Sequence, residues 1–247
     1  MRLLARASAA TLSAATALAL ATACGMLPED APDATAPYAR LTGPEVVNKA
    51  LAATRAAKSV RMAVETTSPE GPVEAFVATD IRGACTVTLS LGATGTMELV
   101  RTGGTVRVRS DIGTTTITAT PTKTAADIAN RAGRWMKPAP GDRHAQLAER
   151  YCDRETFLGP LAPQSGTAHK GRTTAPGSDA PALTVTGKTA EGKWTADIAT
   201  TGKPFLLKLE LRLPHGGKGG GTGGGTTPAT VEFSAFDQPF TANVPKT

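Results

Sequence analysis

The chain has 247 residues, a net charge of +6 and only 4 % aromatic residues. This length suffices for one domain with a sizeable core, which Val, Leu, Ile and Met must build because aromatic side chains are scarce. Lys and Arg are scattered singly along the sequence, which argues against nucleic-acid binding and is compatible with a weak attraction to anionic lipid headgroups.

The first 23 residues have the pattern of a signal peptide. Arg2 and Arg6 precede an uncharged run of Ala, Leu, Ser and Thr that extends from position 7 to position 21. This run is shorter and less apolar than the roughly 20 residues of a transmembrane helix. It ends in Leu20-Ala21-Thr22-Ala23-Cys24-Gly25, which resembles a lipobox, although Ala21 stands where leucine is usual.

We therefore expect cleavage before Cys24, attachment of acyl chains such as palmitate to Cys24, and a location on the outer face of the cell membrane. Two acyl chains anchor a protein firmly, whereas one holds it only marginally. The alternative is ordinary signal cleavage after Ala21-Thr22-Ala23, which leaves a free terminal thiol that is unfavourable outside the cell. Loss of residues 1–23 removes two arginines and lowers the net charge from +6 to +4.

The other two cysteines, Cys85 and Cys152, form an even pair in an oxidising compartment, which predicts a disulfide. The chain-entropy model gives such a bond a stabilisation of about 4 kcal/mol. A redox or metal-binding pair is the alternative, but the two cysteines lack a CxxC spacing and a nearby set of histidines.

Residues 24–40 are rich in Pro and Ala, have no hydrophobic periodicity and predict a flexible tether that reaches roughly 50 Å when extended. A helix is expected from Thr42 to about Lys58, with Thr42 as N-cap, Glu45 completing a capping box and Pro44 in the first turn. Its apolar stripe predicts packing against a sheet and comprises Val46, Val47, Ala50, Leu51, Thr54 and Ala57.

From Ser59 to about Ala119 apolar and polar residues alternate, which predicts strands with one buried face. Turn residues at 68–72, 92–95 and 103–104 join these strands into an antiparallel meander. The middle of the chain predicts short helices at Thr124–Asn130 and Arg143–Tyr151, followed by a loop from Gln164 to Pro181.

Strands resume at positions 183–186, 193–198, 204–213 and 230–236. The third has the longest apolar face, with Phe205, Leu207, Leu209, Leu211 and Leu213 on one side. The glycine-rich run Gly216–Gly225 lacks the Gly-Lys-Ser/Thr ending of a phosphate-binding loop, so we interpret it as a flexible connection.

The sequence nominates no catalytic residue, metal site or cofactor. The three histidines are far apart in sequence, and no HExxH spacing or Gly-x-Ser-x-Gly elbow is present. His169 and His215 fall in predicted loops. We therefore expect a protein that is not an enzyme and binds no nucleic acid.

The order of these features, together with three short segments, resembles actinobacterial lipoproteins of the LolA-like class, akin to the LppX–LprAFG group. The segments are Gly83-Ala84-Cys85-Thr86, Gly133-Arg134-Trp135-Met136-Lys137 and Phe233-Ser234-Ala235-Phe236-Asp237. The resemblance implies an α+β fold, a curved antiparallel half-open β-barrel with helices packed on its concave face. The resemblance also implies one domain over residues 41–247. The better-known members of the class hold acyl chains between the sheet and the helices.

The expected function is therefore a surface-anchored lipoprotein that binds or carries a lipid or other hydrophobic ligand. The alternative is a cell-envelope interaction or sensory module that binds a protein partner, of unknown identity, or an envelope polymer. If an apolar cavity exists, its predicted wall is Met62, Val64, Val77, Leu89, Met97, Leu99, Leu207, Leu209, Leu211 and Phe233. Each of these residues could equally be ordinary core.

Overall fold

The computed structural model describes residues 37–68, 71–112, 133–139, 141–161, 167–174, 181–189, 192–214 and 226–243. Cys24, most of the tether, the helix predicted at Thr124–Asn130, His215 and the Gly216–Gly225 run lie outside these residues. The described helices are α1 (Gly43–Ala56), α2 (Arg143–Tyr151) and α3 (Glu155–Leu158), with a short 3-10 helix at Gly92–Thr94. Within this part of the chain no helix is long and apolar enough to cross a membrane.

Ten described strands form one antiparallel sheet, and they occur in the order β5-β4-β3-β2-β1-β10-β9-β8-β7-β6. Within β1–β5 and within β6–β10 each strand pairs with its neighbours in sequence, so these are two meanders, and the pairing of β1 with β10 joins them. The predicted meander is thus confirmed, and the sheet is open, with β5 and β6 at opposite ends of the strand order. The strands are β1 (Ser59–Ser68), β2 (Gly71–Asp80), β3 (Cys85–Ser90), β4 (Gly95–Thr102), β5 (Thr105–Ile112), β6 (His169–Thr174), β7 (Ala182–Thr189), β8 (Gly192–Ala199), β9 (Leu206–Pro214) and β10 (Thr226–Ser234).

The first helix begins where the sequence predicts. The Thr42 amide donates to Glu45 Oε2 at 2.7 Å, and the Glu45 amide donates to Thr42 Oγ1 at 3.4 Å, which completes the capping box. The two bonds satisfy amides that have no partner within the helix. The predicted apolar stripe is buried and faces the sheet.

The second helix and the disulfide are also confirmed. Asp142 Oδ1 accepts a hydrogen bond from the Ala145 amide at 3.0 Å, as an N-cap does, and α2 then packs on β3 and β4. Cys85 begins β3, Cys152 follows α2, and their Cα atoms are 5.7 Å apart across the bond. The disulfide therefore fixes the end of α2 on the first meander.

The predicted apolar face of β9 is wrong at its first positions. The pairing with β8 shifts between Asp197 and Ile198, where one residue of β8 is opposed by two of β9, so a β-bulge interrupts the alternation. Leu206 is only 1 % exposed, and its amide donates to Thr54 Oγ1 of α1 at 3.0 Å. Leu207 is the extra residue and is half-buried, so it does not belong to the buried row.

The predicted loop from Gln164 to Pro181 contains an additional strand, β6, which pairs antiparallel with β7. The residues from His169 to Thr173 are all exposed, as they can be in a strand at the edge of a sheet. No apolar alternation marks such a strand in the sequence. His169 therefore lies in a strand, although it is exposed as expected.

Candidate functional site: the apolar face of the sheet

The strands bring nine of the ten predicted wall residues onto one face of the sheet. Each of the nine is at most 6 % exposed. They belong to a single hydrophobic cluster with the buried residues of α1 and α2. The nine are Met62, Val64, Val77, Leu89, Met97, Leu99, Leu209, Leu211 and Phe233; Leu207 is excluded by the bulge.

The strand register places eight of these nine residues in two neighbouring rows that cross the strands; Leu211 lies opposite Ala229, outside both rows. The first row runs through Val185, Ala196, Leu209, Val231, Val64, Ala75, Leu89 and Met97, from β7 to β4. The second row runs through Phe233, Met62, Val77, Val87, Leu99 and Val108. At about 4.8 Å between strands, the first row extends for about 34 Å without a polar side chain.

Two helices pack on different parts of this face. Helix α1 contacts β9 and β6 of the second meander, whereas α2 contacts β3 and β4 of the first. The apolar residues of β1, β2 and β10 lie in the strand order between these two contact regions. Beside α2, Tyr151 stacks on Phe157 of α3 with ring centroids 5.7 Å apart.

A buried arginine holds the carboxyl end of α1. Arg154 Nη1 donates to the carbonyls of Ala57 at 2.8 Å, Thr54 at 3.3 Å and Arg55 at 3.4 Å. These carbonyls are among those that a helix end leaves without a partner, and a cation there is favoured by the helix dipole. Burial lowers the pKa of Arg154, and the nearby carboxylate of Asp80 opposes that shift.

On the β8–β9 side of the sheet the strands enclose an open groove of about 430 Å³. The paired register of β8 and β9 ends at Thr195 and Glu210, although both strands continue. The groove lies where they separate. It is lined by Lys193, Trp194, Thr195, Glu210, Leu211, Arg212, Ala229 and Thr230. Of the predicted wall residues, Leu211 lines this groove.

The described residues contain no group of three His, Cys, Asp or Glu side chains that could hold a metal ion. Some charged side chains of the described residues form ion pairs at the surface, and Arg55 with Glu155 is one such pair. Arg55 binds Glu155 through two hydrogen bonds, at 2.7 and 2.8 Å, and the Arg55 guanidinium lowers the pKa of the Glu155 carboxyl.

Comparison with known proteins establishes the fold. Neither a family model nor a curated protein sequence matches the chain. The crystal structure of LprF from Mycobacterium bovis is similar over 86 % of this chain and 100 % of its own, with a TM-score of 0.54 and 14 % identity. This chain has the LprF fold. A likeness to MucB, at 14 % identity over 83 % of this chain and 60 % of that one, has a TM-score of 0.39 and supports no conclusion.

The LprF fold confirms the resemblance inferred from the sequence at the level of architecture: a large open antiparallel sheet with few helices. Within it, sequence reasoning missed the residues that fix α1 to the sheet, namely Thr54 and Arg154. The sequence pattern places Thr54 only in the apolar stripe, whereas in the structure its buried hydroxyl accepts a hydrogen bond from the Leu206 amide. No local pattern around Arg154 indicates that its guanidinium is buried.

Proposed function

We propose that this chain is an exported lipoprotein, acylated at Cys24 on the outer face of the cell membrane, that carries a lipid or other apolar ligand without catalysis. In this proposal residues 41–247 form one domain, the sheet curves as a half-open barrel, and the helices lie on its concave side. The ligand occupies space between the sheet and the helices.

The observation that carries the proposal is the pair of apolar rows across the sheet. Each methylene that leaves water for an apolar surface gains about 0.8 kcal/mol, so an acyl chain needs no polar partner along these rows. Ala75 lies in the first row, between Val64 and Leu89, and is the smallest side chain of β2 on that face. A large side chain at this position would occupy the space that the proposal assigns to the ligand.

Adding a large side chain at Ala75 tests the proposal. We expect that the exported chain beginning at Gly25 co-purifies with lipid, which native mass spectrometry detects as a stoichiometric added mass. Ala75→Phe fills the ligand space, so the variant folds with unchanged stability and loses the bound mass. The matched control is Ala63→Phe, which adds the same side chain on the opposite face of the neighbouring strand.

The same pair of variants distinguishes a ligand space from a solid core. In a solid core, Ala75→Phe overpacks the interior and lowers the free energy of unfolding by about 1–3 kcal/mol. Absence of lipid from the unmodified chain, together with destabilisation of the Ala75→Phe variant, would refute the proposal.

One observation favours an interaction module as a second candidate. Phe76 lies on the opposite face of the sheet, between Ala63 and Thr88, and is 61 % exposed. A large aromatic side chain exposed within a polar sheet face is a feature of protein-binding surfaces. A photo-crosslinking residue at position 76 tests this candidate in cells: one stoichiometric protein adduct, with no lipid in the purified protein, would favour it over lipid carriage.

A further inference from the structure

We propose that the ligand is an ester lipid and that the indole N–H of Trp194 donates a hydrogen bond to its ester carbonyl. Trp194 belongs to β8 and lies on the face of the sheet that carries the two apolar rows. The inference rests on the proposed function, since it needs a ligand between the sheet and the helices. It adds the chemical class of that ligand.

Trp194 holds a buried donor that has no acceptor. The residue is 2 % exposed, and its Nε1, which can only donate, has no hydrogen-bond partner among the residues that the structure describes. Buried tryptophan N–H groups usually have a partner, because an unpaired donor destabilises the folded state. The one other such atom in the described ranges is Arg107 Nε, and Arg107 precedes Val108 in β5 and therefore lies on the opposite face of the sheet.

The strand register places this donor beside the first apolar row. Trp194 is directly opposite Gly187 of β7, and its ring covers that glycine: a Cβ at position 187 would lie 3.0 Å from Nε1. Val185 and Ala196, which begin the first row, are each two residues away from this pair along their strands. Residues two apart on a strand share a face and are separated by about 7 Å. An acyl chain along the row therefore passes close to Nε1.

The apolar surface of the central strand β1 ends at the level of Trp194. The pairing of β8 with β9 ends one residue short of Trp194, and in the continued register Trp194 is level with Leu211. Leu211 is opposite Ala229, which in turn is opposite Thr66 of β1. Beyond Thr66, the next side chain of β1 on this face is Ser68. In an ester lipid the carbonyl likewise lies where the acyl chain ends and the polar headgroup begins.

A neutral carbonyl fits this donor better than the carboxylate of a free fatty acid. Burial of a carboxylate is costly unless a cation pairs with it. The cation opposite Val185 is Lys170, which already donates to the carbonyls of Tyr38 at 3.1 Å and Ala39 at 3.2 Å and lies near the carboxylate of Glu45. An ester carbonyl needs no cation and carries an apolar chain directly.

Competition between an ester lipid and its ether analogue tests the inference. The chain beginning at Gly25 is stripped of co-purified lipid with detergent and incubated with equal amounts of dipalmitoyl phosphatidylcholine and dihexadecyl phosphatidylcholine, which lacks the ester carbonyls. All contacts in the described part of the chain lie within residues 37–243, so this truncation removes none of them. Native mass spectrometry should find about tenfold more bound ester lipid than ether lipid, because the ester carbonyl satisfies the donor.

Removing the donor should remove the preference. Trp194→Phe keeps an aromatic ring without an N–H, so the ratio of bound ester lipid to bound ether lipid should fall to about one. The matched control is Trp135→Phe, because Trp135 is half-buried and lies beside Arg109 on the opposite face of the sheet. This control should keep the tenfold preference. A preference that survives Trp194→Phe, or that Trp135→Phe also abolishes, would contradict the inference.

NMR spectroscopy observes the donor directly and does not depend on the folding of the Trp194→Phe variant. Trp135 and Trp194 are the two tryptophans of the chain, so isotope-labelled protein gives two indole N–H signals, which Trp135→Phe assigns. We expect the ester lipid to move the Trp194 proton signal further downfield than the ether lipid does. Equal binding and equal shifts with the two lipids would overturn the inference and leave lipid carriage standing. Binding of neither lipid would refute the proposed function, and the inference with it.

Discussion

Replacing Arg154 by methionine tests whether the buried guanidinium holds α1 on the sheet. Arg154 is 9 % exposed, and methionine keeps much of the apolar stem while removing the charge and its donors. A hydrogen bond to a charged group contributes about 1.5–3 kcal/mol, and each buried carbonyl left unpaired costs about 1–3 kcal/mol. The shortest bond, to Ala57 at 2.8 Å, dominates, and the desolvation that lowers the pKa of Arg154 offsets part of the sum.

We therefore expect Arg154→Met to lower the free energy of unfolding by about 3 kcal/mol, measured by urea denaturation with the disulfide intact. Arg150→Met is the matched control, because Arg150 is exposed at the end of α2. The control should change stability by less than about 0.5 kcal/mol. A loss below about 1 kcal/mol for Arg154→Met would contradict the reasoning, since it would mean that water replaces the guanidinium at these carbonyls.

Two further changes test the packing of the sheet. Replacing Cys85 and Cys152 by alanine should lower the free energy of unfolding by about 4 kcal/mol, measured in denaturant titrations. If reducing the disulfide of the unmodified chain leaves its free energy of unfolding unchanged, this prediction is refuted. Gly187→Ala should cost about 1–3 kcal/mol, because the new Cβ would lie 2.3 Å from the ring of Trp194, which is 2 % exposed. Gly159→Ala is the matched control, with no atom within 4 Å of its Cβ, and equal losses for the two alanine variants would argue against a ring clash.

The elements with strong local signals were predictable from the sequence. The capping box placed the start of α1, and the alternation of apolar residues placed β1 to β5 and put nine predicted wall residues on one face. Each pattern arises because one face of a helix or strand is buried and therefore carries apolar side chains, so the pattern can be recognised from the sequence alone.

The features that the sequence did not predict depend on tertiary contacts. Leu207 is the extra residue of the bulge, and beside it the Leu206 amide bonds Thr54 on a helix about 150 residues earlier; no local pattern records such a bond. Strand β6 is held by backbone pairing to β7 at the edge, where exposed polar side chains are permitted on both faces. The space available to a ligand depends on how helices and sheet fit together, so residue types alone cannot distinguish it from a packed core.

The pairing of β1 with β10 makes the first and last strands of the sheet adjacent at its centre, with Val64 opposite Val231. A chain that folds from its amino terminus can form the first meander early, but the centre of the sheet can form only when nearly the entire polypeptide is available. Until then both meanders expose a bare apolar strand to unwanted pairing. Closing so long a loop is slow, so the pairing of β1 with β10 is the folding step that leaves apolar strand edges exposed for longest.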